Sequence, residues 1–323
     1  VLKYPGLYNG RYTFRNIRSN QTIKVVYKRD TSEFKVIGVD KVYDGQPASV
    51  TTNGALVDGE KWQYSLDKEK WEDEAPSSTD VTVNEKSPNG QIVYVRIVDA
   101  SEENIIWQKQ AYVKIEKRNV TLTSGSDEKA YDGDPLTNSE VTVSGDGFVE
   151  DEGAEYSFTG SQTLVGSSEN YFSYTLTEGT NANNYTITQV NGTLTVSDRD
   201  EDAKYQITVE AKSGTEKYDG TEHSVSGLEE DTFEVAGHTY TVSGLSAEVS
   251  GTDAGSYTAQ VTGTAVVEDA DGNDVTNQFK VNRKSGTLTI EKRNVTLTSG
   301  SDEKAYDGDP LTNSEVTVSG DGF

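Results

Sequence analysis

The stretch KAYDGDPLT occupies residues 129–137, and the same nine residues return at 304–312. Two related stretches, KVYDGQPAS and EKYDGTEHS, begin at residues 41 and 216. The Tyr-Asp-Gly triplets in these four stretches are Tyr43, Asp44, Gly45; Tyr131, Asp132, Gly133; Tyr218, Asp219, Gly220; and Tyr306, Asp307, Gly308. They begin at intervals of 88, 87 and 88 residues. Such a fixed interval is typical of a chain that repeats one structural unit.

A longer repetition defines the module boundaries, because residues 115–148 recur unchanged at 290–323. The phrases NGTLTVSD, from residue 191, and SGTLTIEK, from residue 285, mark module ends. The chain is therefore predicted to contain five segments: 1–30 as the C-terminal part of a preceding surface repeat, 31–117 as the first module, 118–203 as the second, 204–292 as the third, and 293–323 as the opening fragment of a fourth.

Alternating apolar residues indicate the secondary structure. They occur in short runs such as Tyr171–Leu176 and Leu194–Val196, which are separated by clusters of Gly, Asn and Asp. A period of two residues is typical of half-buried strands, and we find no stretch of ten or more residues with helical periodicity. The sequence predicts an all-β protein, a tandem array of small β-sandwich modules of Ig-like or β-grasp-like type that form an elongated rod.

Composition excludes several classes of function. With 54 acidic and 29 basic residues, the chain carries a formal net charge of -25, which repels nucleic acid and anionic membrane surfaces. Cysteine is absent, which excludes disulfides, thiolate metal sites and cysteine nucleophiles. No apolar run approaches the roughly 18 residues that span a bilayer, so we expect no membrane insertion in this segment.

The Tyr-Asp-Gly triplet has the chemistry of a turn. Glycine adopts positive φ freely, and an aspartate can accept a hydrogen bond from its own backbone. Pro47, Pro135 and Pro310 lie two residues after three of the glycines and fix the direction in which the chain leaves. The alternative, a carboxylate site at each aspartate, lacks a recurrent partner acid or base. We therefore interpret the triplet as an architectural clamp, in which the tyrosine ring packs at a corner of the sandwich.

Enzyme chemistry has little support in the sequence. The two histidines, His223 and His238, both lie in the third module, so a Ser-His or zinc site would belong to one copy only. We interpret them as surface residues of strands. The sequence contains no phosphate-binding loop, GxSxG motif or HExxH motif. We expect neither catalytic residues nor a bound organic cofactor.

An acidic loop, EDADGNDV at residues 268–275, is a weak candidate for calcium binding through Asp269, Asp271 and Asn273. Calcium takes six to eight oxygen ligands, which alternating Asp and Asn side chains can supply. However, the glycine stands at the fourth place of the loop rather than the sixth, and no glutamate closes the loop at the twelfth. An ordinary hairpin turn is the favoured interpretation.

All three tryptophans, Trp62, Trp71 and Trp107, lie in the first module. Exposed indoles at Trp62 and Trp71 would form a platform for stacking sugars, whereas buried indoles fill the core of a small sandwich. We favour the core interpretation, and we keep Trp62 and Trp71 as weak ligand candidates.

Longer phrases carry a family resemblance. The KxYDGxPLT opening, the stretch GSQTLVGSSENYFSYTLTEGTNANNYTI at 160–187 and the NGTLTV close resemble the MBG and YDG-type repeats of secreted, wall-attached adhesins in Gram-positive bacteria. The resemblance covers 118–323 well and 31–117 less well. It implies an extracellular location at the bacterial cell surface or cell wall, and it implies a stalk or adhesin without enzyme chemistry.

The functional expectation is a repetitive stalk that projects a head domain or forms an extracellular fibre. Its partners are then the neighbouring modules, other copies in a fibre, or a host glycan or mucin. The alternative is a set of adhesin modules that themselves bind host mucin or glycans. Because the eight residues SDRDEDAK, six of which are charged, follow Val196, we expect the joint at 196–205 to be the most flexible.

Overall fold

The computed structural model describes residues 18–20 and 29–323, so the predicted preceding repeat at 1–30 lies almost wholly outside the described residues. The described residues form strands and three short 3₁₀ helices, which confirms the all-β prediction. None of their helices is long and apolar enough to cross a membrane.

The chain divides into two compact units. The first runs to Val120 and also takes in Asp146–Gly153 and Glu178–Thr186. The second comprises Thr121–Gly145, Ala154–Thr177 and Ile187–Phe323. The first unit therefore extends beyond the predicted boundary at residue 117, because two loops of the second predicted module belong to it.

The first predicted module contains eight strands: β1 (Lys35–Ile37), β2 (Val39–Val42), β3 (Ala48–Ser49), β4 (Thr51–Asn53), β5 (Lys61–Ser65), β6 (Ser77–Ser78), β7 (Gln91–Val98) and β8 (Ile105–Glu116). The main sheet has the order β2-β8-β7-β5, and β1-β4 and β3-β6 form two-stranded sheets. Alternate residues of β7, Val93, Val95 and Ile97, are fully buried. The period-two pattern of the sequence thus produces one buried face.

The second predicted module contains β9 (Arg118–Ser124), β10 (Asp127–Ala130), β11 (Val141–Gly145), β12 (Ala154–Phe158), β13 (Gly166–Asn170), β14 (Phe172–Leu176), β15 (Tyr185–Val190) and β16 (Gly192–Ser197), with 3₁₀ helices at Ala182–Asn184 and Glu201–Ala203. Its sheets have the orders β10-β16-β13, β11-β9-β15 and β12-β14.

The third predicted module contains β17 (Tyr205–Glu210), β18 (Gly214–Lys217), β19 (His223–Ser226), β20 (Thr232–Val235), β21 (His238–Gly251), β22 (Gly255–Ala259), β23 (Val261–Glu268), β24 (Phe279–Lys284) and β25 (Gly286–Glu291), with a 3₁₀ helix at Thr276–Gln278. Its sheets have the orders β17-β24 and β18-β25-β22, and β21 also pairs with β19, β20 and β23. The last two strands, β26 (Val295–Ser299) and β27 (Val316–Gly320), pair with each other.

One strand pairing recurs in all three predicted modules. The strand before each of the first three triplets runs parallel to the last strand of its module, in the pairs β2 with β8, β10 with β16, and β18 with β25. The tyrosine N–H then continues this pairing, with bonds of 2.9 Å from Tyr43 to Glu116 O, from Tyr131 to Ser197 O and from Tyr218 to Glu291 O. Each triplet therefore begins where its strand leaves the sheet, beside the end of the module's last strand.

Candidate functional site

The first Tyr-Asp-Gly triplet forms a tight turn. The Oδ1 atom of Asp44 accepts hydrogen bonds from the backbone N–H of Gln46 at 2.9 Å and from Nζ of Lys41 at 2.5 Å. Gly45 has a φ of 74°, which glycine adopts without the strain that a side chain causes. In the other three turns the aspartate Oδ1 also accepts from the backbone N–H two residues later: Asp132 from Asp134 at 3.0 Å, Asp219 from Thr221 at 2.8 Å, and Asp307 from Asp309 at 2.9 Å.

The carboxylates of the turns already accept these hydrogen bonds, which stabilise their ionised form. The Lys41 ammonium and the Gln46 N–H together lower the pKa of Asp44. In the third turn, the hydroxyl and N–H of Thr221, with a smaller contribution from His223, lower the pKa of Asp219 to about 2. A carboxylate held ionised in this way is a poor general base or acid at neutral pH. The geometry is that of a structural turn.

An arginine that the sequence analysis did not single out joins the first turn to the next segment. Arg118 donates from Nη1 to Tyr43 O at 3.0 Å and from Nε to Gly147 O at 2.8 Å. Its Nη2 atom also donates to Asp146 O at 2.6 Å. The side chain therefore binds carbonyl groups on both sides of the predicted boundary at 117/118.

A second arginine lies at the second boundary, where its carbonyl partners belong to the second predicted module and its ring contact belongs to the third. Arg199 donates from Nη1 to Tyr131 O at 2.8 Å and from Nε to Ala203 O at 2.7 Å. Its guanidinium lies 4.0 Å from the centre of the Tyr205 ring. The signal for this role was present in the sequence, because each arginine lies two residues after the last strand of its module. The hydrogen-bond partners of each arginine are backbone carbonyls, however, and since every residue has one, the sequence does not indicate which of them is bound.

The tyrosine of the first turn packs against residues of the second predicted module. Tyr43 is only 4% exposed, and its ring meets that of Tyr185 edge to face at 5.6 Å between centroids. The hydroxyls of both rings donate to the carboxylate of Glu152. Burial, and then the bond to Glu152, raises the pKa of Tyr43 to about 12. The ring thus helps to close the boundary between two predicted modules.

Tyr131 occupies the corresponding place at the second boundary. It is 1% exposed, and its hydroxyl oxygen lies 3.5 Å from that of Tyr240. The Tyr240 ring in turn meets Phe279 at 4.7 Å. These residues belong to one buried cluster of Tyr131, Leu136, Leu194, Val196, Ile207, Val209, Tyr240, Val242, Val267, Val275 and Phe279. The hydrophobic core is therefore continuous across the predicted boundary at 203/204.

This packing corrects the expectation of a flexible joint at 196–205. The Arg199 N–H donates to Oε1 of buried Gln278 at 2.9 Å, and Nε2 of Gln278 donates to Asp198 at 2.5 Å. The 3₁₀ helix at Glu201–Ala203 occupies the rest of the segment. The prediction treated the polar residues as solvated, whereas two of them, Asp198 and Arg199, contact the third predicted module.

The remaining two triplets have different surroundings. Tyr218 is half-buried. Tyr306 is 99% exposed, although Asp307 and Gly308 still form the turn. Burial of the tyrosine therefore depends on the neighbouring segment, whereas the turn itself depends on the local sequence alone.

The structure places the candidate tryptophans against other side chains. Trp62 packs edge to face with Phe34 at 5.7 Å and with buried Trp107 at 5.5 Å. The Arg96 guanidinium lies 4.1 Å from the centre of the Trp71 ring, and the Trp71 indole N–H donates to Lys68 O at 3.1 Å. Trp62 contributes to an aromatic cluster, and one face of Trp71 is covered by an arginine.

The acidic loop closes on itself. Asp269 Oδ1 accepts from the backbone N–H groups of Asp271 at 3.0 Å and Asn273 at 2.8 Å. The Asn273 amide donates to both oxygens of the same carboxylate. Within residues 18–20 and 29–323, no group of three or more His, Cys, Asp or Glu side chains is arranged to hold a metal ion. These contacts are those of a hairpin turn, which the antiparallel bridge between Glu268 and Asp274 closes.

Both histidines begin strands, β19 and β21, and each contacts an aspartate of a triplet turn. His223 Nε2 lies 3.0 Å from Asp219 Oδ1 within the third turn. His238 Nε2 lies 3.3 Å from Asp134 Oδ1 in the second turn, across the predicted boundary.

Comparison with protein-family models finds no match to this chain, and comparison with curated proteins finds no significant match. The resemblance to surface-adhesin repeats therefore stays a prediction.

Proposed function

We propose that this chain is a stalk segment of a secreted or wall-anchored bacterial surface protein, which projects a head domain or forms an extracellular fibre. The observation that carries the proposal is the repeated boundary contact. A buried triplet tyrosine and an arginine contact the next segment at both boundaries: at 117/118 Arg118 binds Tyr43 O and Tyr43 packs on Tyr185, and at 203/204 Arg199 lies over Tyr205 and Tyr131 meets Tyr240. A stalk needs such contacts, because a chain of freely swinging modules does not hold its end at a distance.

The physical basis is the cost of separating these contacts. Separating the segments at 117/118 breaks the charge-assisted hydrogen bond from Arg118 to Tyr43 O, and separating them at 203/204 removes Arg199 from the Tyr205 ring. In both cases a buried tyrosine ring becomes exposed to water. Since the segments follow one another along the chain without a long linker, a force applied to the ends passes through these boundaries. We infer that the triplet serves as a boundary clamp rather than as a ligand site.

Composition supports the extracellular part of the proposal. A net charge of -25 keeps neighbouring copies of the chain apart and in solution. The absence of both cysteine and methionine leaves little to oxidise outside a cell.

The mechanical role can be tested by pulling single molecules from their two ends. We expect separate force peaks as segments unfold, and a lower force for the peak affected by Tyr43→Ala. Tyr306→Ala is the matched control, because that tyrosine of the same motif is exposed. Extension without force peaks, as for an unfolded chain, would refute the proposed stalk.

The surface location needs a separate test on intact cells of the source organism. Antibodies raised against residues 31–292 should label these cells without permeabilisation. Labelling only after permeabilisation would contradict the surface location while leaving the mechanical measurement unaffected.

The alternative, modules that bind host mucin or glycans, has less support. It depends on open indole faces at Trp62 and Trp71, and the structure places Phe34, Trp107 and Arg96 against these rings.

A further inference from the structure

Two 3₁₀ helices occupy corresponding places in the second and third predicted modules. Ala182–Asn184 directly precedes β15, and Thr276–Gln278 directly precedes β24. The last residue of each helix lies eight residues before the glycine of its GTLT phrase. Its backbone N–H donates to the carbonyl three residues earlier, at 3.0 Å for Asn184 and 2.9 Å for Gln278. The two positions are therefore equivalent, and both carry a side-chain amide.

Asn184 binds two neighbouring residues of the first predicted module. Its Oδ1 atom accepts a hydrogen bond from the backbone N–H of Val81 at 2.9 Å, and its Nδ2 atom donates to Oδ1 of Asp80 at 2.8 Å. Asn184 is fully buried. One buried amide therefore binds both the aspartate carboxylate and the N–H that follows it in the chain.

Gln278 binds two neighbouring residues of the second predicted module in the same way. Its Oε1 atom accepts from the backbone N–H of Arg199 at 2.9 Å, and its Nε2 atom donates to Oδ1 of Asp198 at 2.5 Å. Gln278 is also buried. At both boundaries the bound pair is thus an aspartate and the next residue, and both belong to the preceding segment.

A side-chain amide supplies both groups that this pair requires. A carboxylate accepts hydrogen bonds and a backbone N–H donates one, so their partner has to donate at one end and accept at the other. Asn and Gln do so without a charge of their own. An acid at the same position would place two carboxylates in contact, and an apolar side chain would leave buried polar groups without partners.

We propose that this buried amide is a recognition site for an aspartate of the preceding segment, and that it decides which segments can pack against each other. The partner that it fits is a segment in which an aspartate carboxylate lies beside the backbone N–H of the next residue. The inference does not depend on the proposed stalk function, because the selection of one segment by the next requires neither a surface location nor a pulling force.

The lengths of the two amides suit different partners. Asp80 lies in the connection between β6 and β7, whereas Asp198 directly follows β16. The side chain of Gln278 is one methylene group longer than that of Asn184. Since both hydrogen bonds have to form at once, an amide of the wrong length loses at least one of them. The two amides are therefore not interchangeable, which makes each boundary selective for its own pair of segments.

Hydrogen exchange of the whole 323-residue chain, followed by NMR at pH 7.5, tests the proposal. The readouts are the exchange rates of the two bound N–H groups, those of Arg199 and Val81. We expect Gln278→Glu to increase the rate at Arg199 about tenfold, because two carboxylates then face each other, and to leave the rate at Val81 unchanged. Asn184→Asp should have the opposite selectivity, so each variant is the control for the other.

Reciprocal exchange of the two groups distinguishes recognition from mere packing. Adding Asp198→Asn to Gln278→Glu again places an amide donor opposite a carboxylate, so the rate at Arg199 should return to within about threefold of the wild type. If Gln278→Glu alone does not fold, recovery of folding in the double variant is the same rescue. Asp80→Asn with Asn184→Asp repeats the test at the first boundary.

The length requirement is tested by Gln278→Asn, which keeps the amide and shortens its reach. We expect this variant also to increase the exchange rate of the Arg199 N–H about tenfold. Absence of the rescue at either boundary, or a wild-type rate in Gln278→Asn, would overturn the proposal.

Discussion

Arg118 makes contacts that a short sequence motif cannot reveal. Its three donor atoms bind the carbonyls of Tyr43, Asp146 and Gly147, which lie up to 75 residues away. The Asp-Gly turns, in contrast, could be predicted, because the carboxylate of Asp44 and the N–H that it binds are two residues apart. The local half of the site is therefore predictable from the sequence, whereas the half that connects distant residues is not.

Replacement of this arginine should weaken the first boundary. We expect Arg118→Ala to lower the free energy of unfolding by about 1 to 3 kcal/mol, because it leaves carbonyls without charged donors. Chemical denaturation followed by tryptophan fluorescence measures the loss, since all three indoles lie in the first predicted module. Lys117→Ala, at the exposed neighbouring position, should change it by less than about 0.5 kcal/mol. Equal losses in the two variants would exclude the proposed role of Arg118.

The glycines of the turns should differ in their tolerance of a side chain. Gly133 and Gly220 both have positive φ, at 91° and 81°, which strains any residue with a Cβ atom. At Gly133 a Cβ also meets His238, whereas at Gly220 no atom lies within 4 Å. We expect Gly133→Ala to lower the free energy of unfolding by about 3 kcal/mol and Gly220→Ala to lower it by about 1 kcal/mol. Thermal unfolding of both variants shows which one is less stable. A larger loss of stability in Gly220→Ala would contradict the close packing of His238 on Gly133.

At the scale of strands, alternation predicted which residues are buried but not which strands pair. The buried faces of β7 and β16 follow the alternating pattern of Val95 and Leu194 with their neighbours. The parallel pairing of β2 with β8 joins Val39 to Val113, and the intervening residues give no sign of it. Pairing of this kind is decided by the packing of the whole module, which a two-residue period does not encode.

The acidity of the turn carboxylates should appear in the pH dependence of stability. The pKa of Asp219 is lowered from 3.8 to about 2, so its contribution to stability is complete above about pH 4 and is lost as the pH falls toward 2. Thermal unfolding should therefore show a smaller loss between pH 4 and pH 2 in Asp219→Asn than in the wild type. Asp271→Asn, outside the four turns, serves as the control. An identical loss of stability between pH 4 and pH 2 in the wild type and in Asp219→Asn would show that the hydrogen bonds of the Asp219 carboxylate do not contribute to stability.

At the scale of the chain, the sequence predicts stepwise unfolding of modules that are each stabilised mainly from within. The buried cluster that contains Leu194 and Val209 gives a different expectation for the second and third predicted modules, because it extends across their boundary. The repeat interval identifies the boundary, but the exposed or buried state of a repeated residue depends on the segment that packs against it. Tyr131 is buried and Tyr306 is exposed, although the nine residues around them are identical.

We therefore expect residues 121–145, 154–177 and 187–292 to unfold in one coupled transition in the wild-type chain. Tyr131→Ala removes the ring that meets Tyr240 in the shared cluster, and it should cost about 3 to 5 kcal/mol and divide that transition into two. Scanning calorimetry of the whole chain measures both effects. Tyr306→Ala changes the same motif at an exposed position and should shift the free energy of unfolding by less than about 0.5 kcal/mol. If the wild type already shows two separate transitions here, or if Tyr131→Ala leaves a single one, the shared cluster does not couple the two predicted modules.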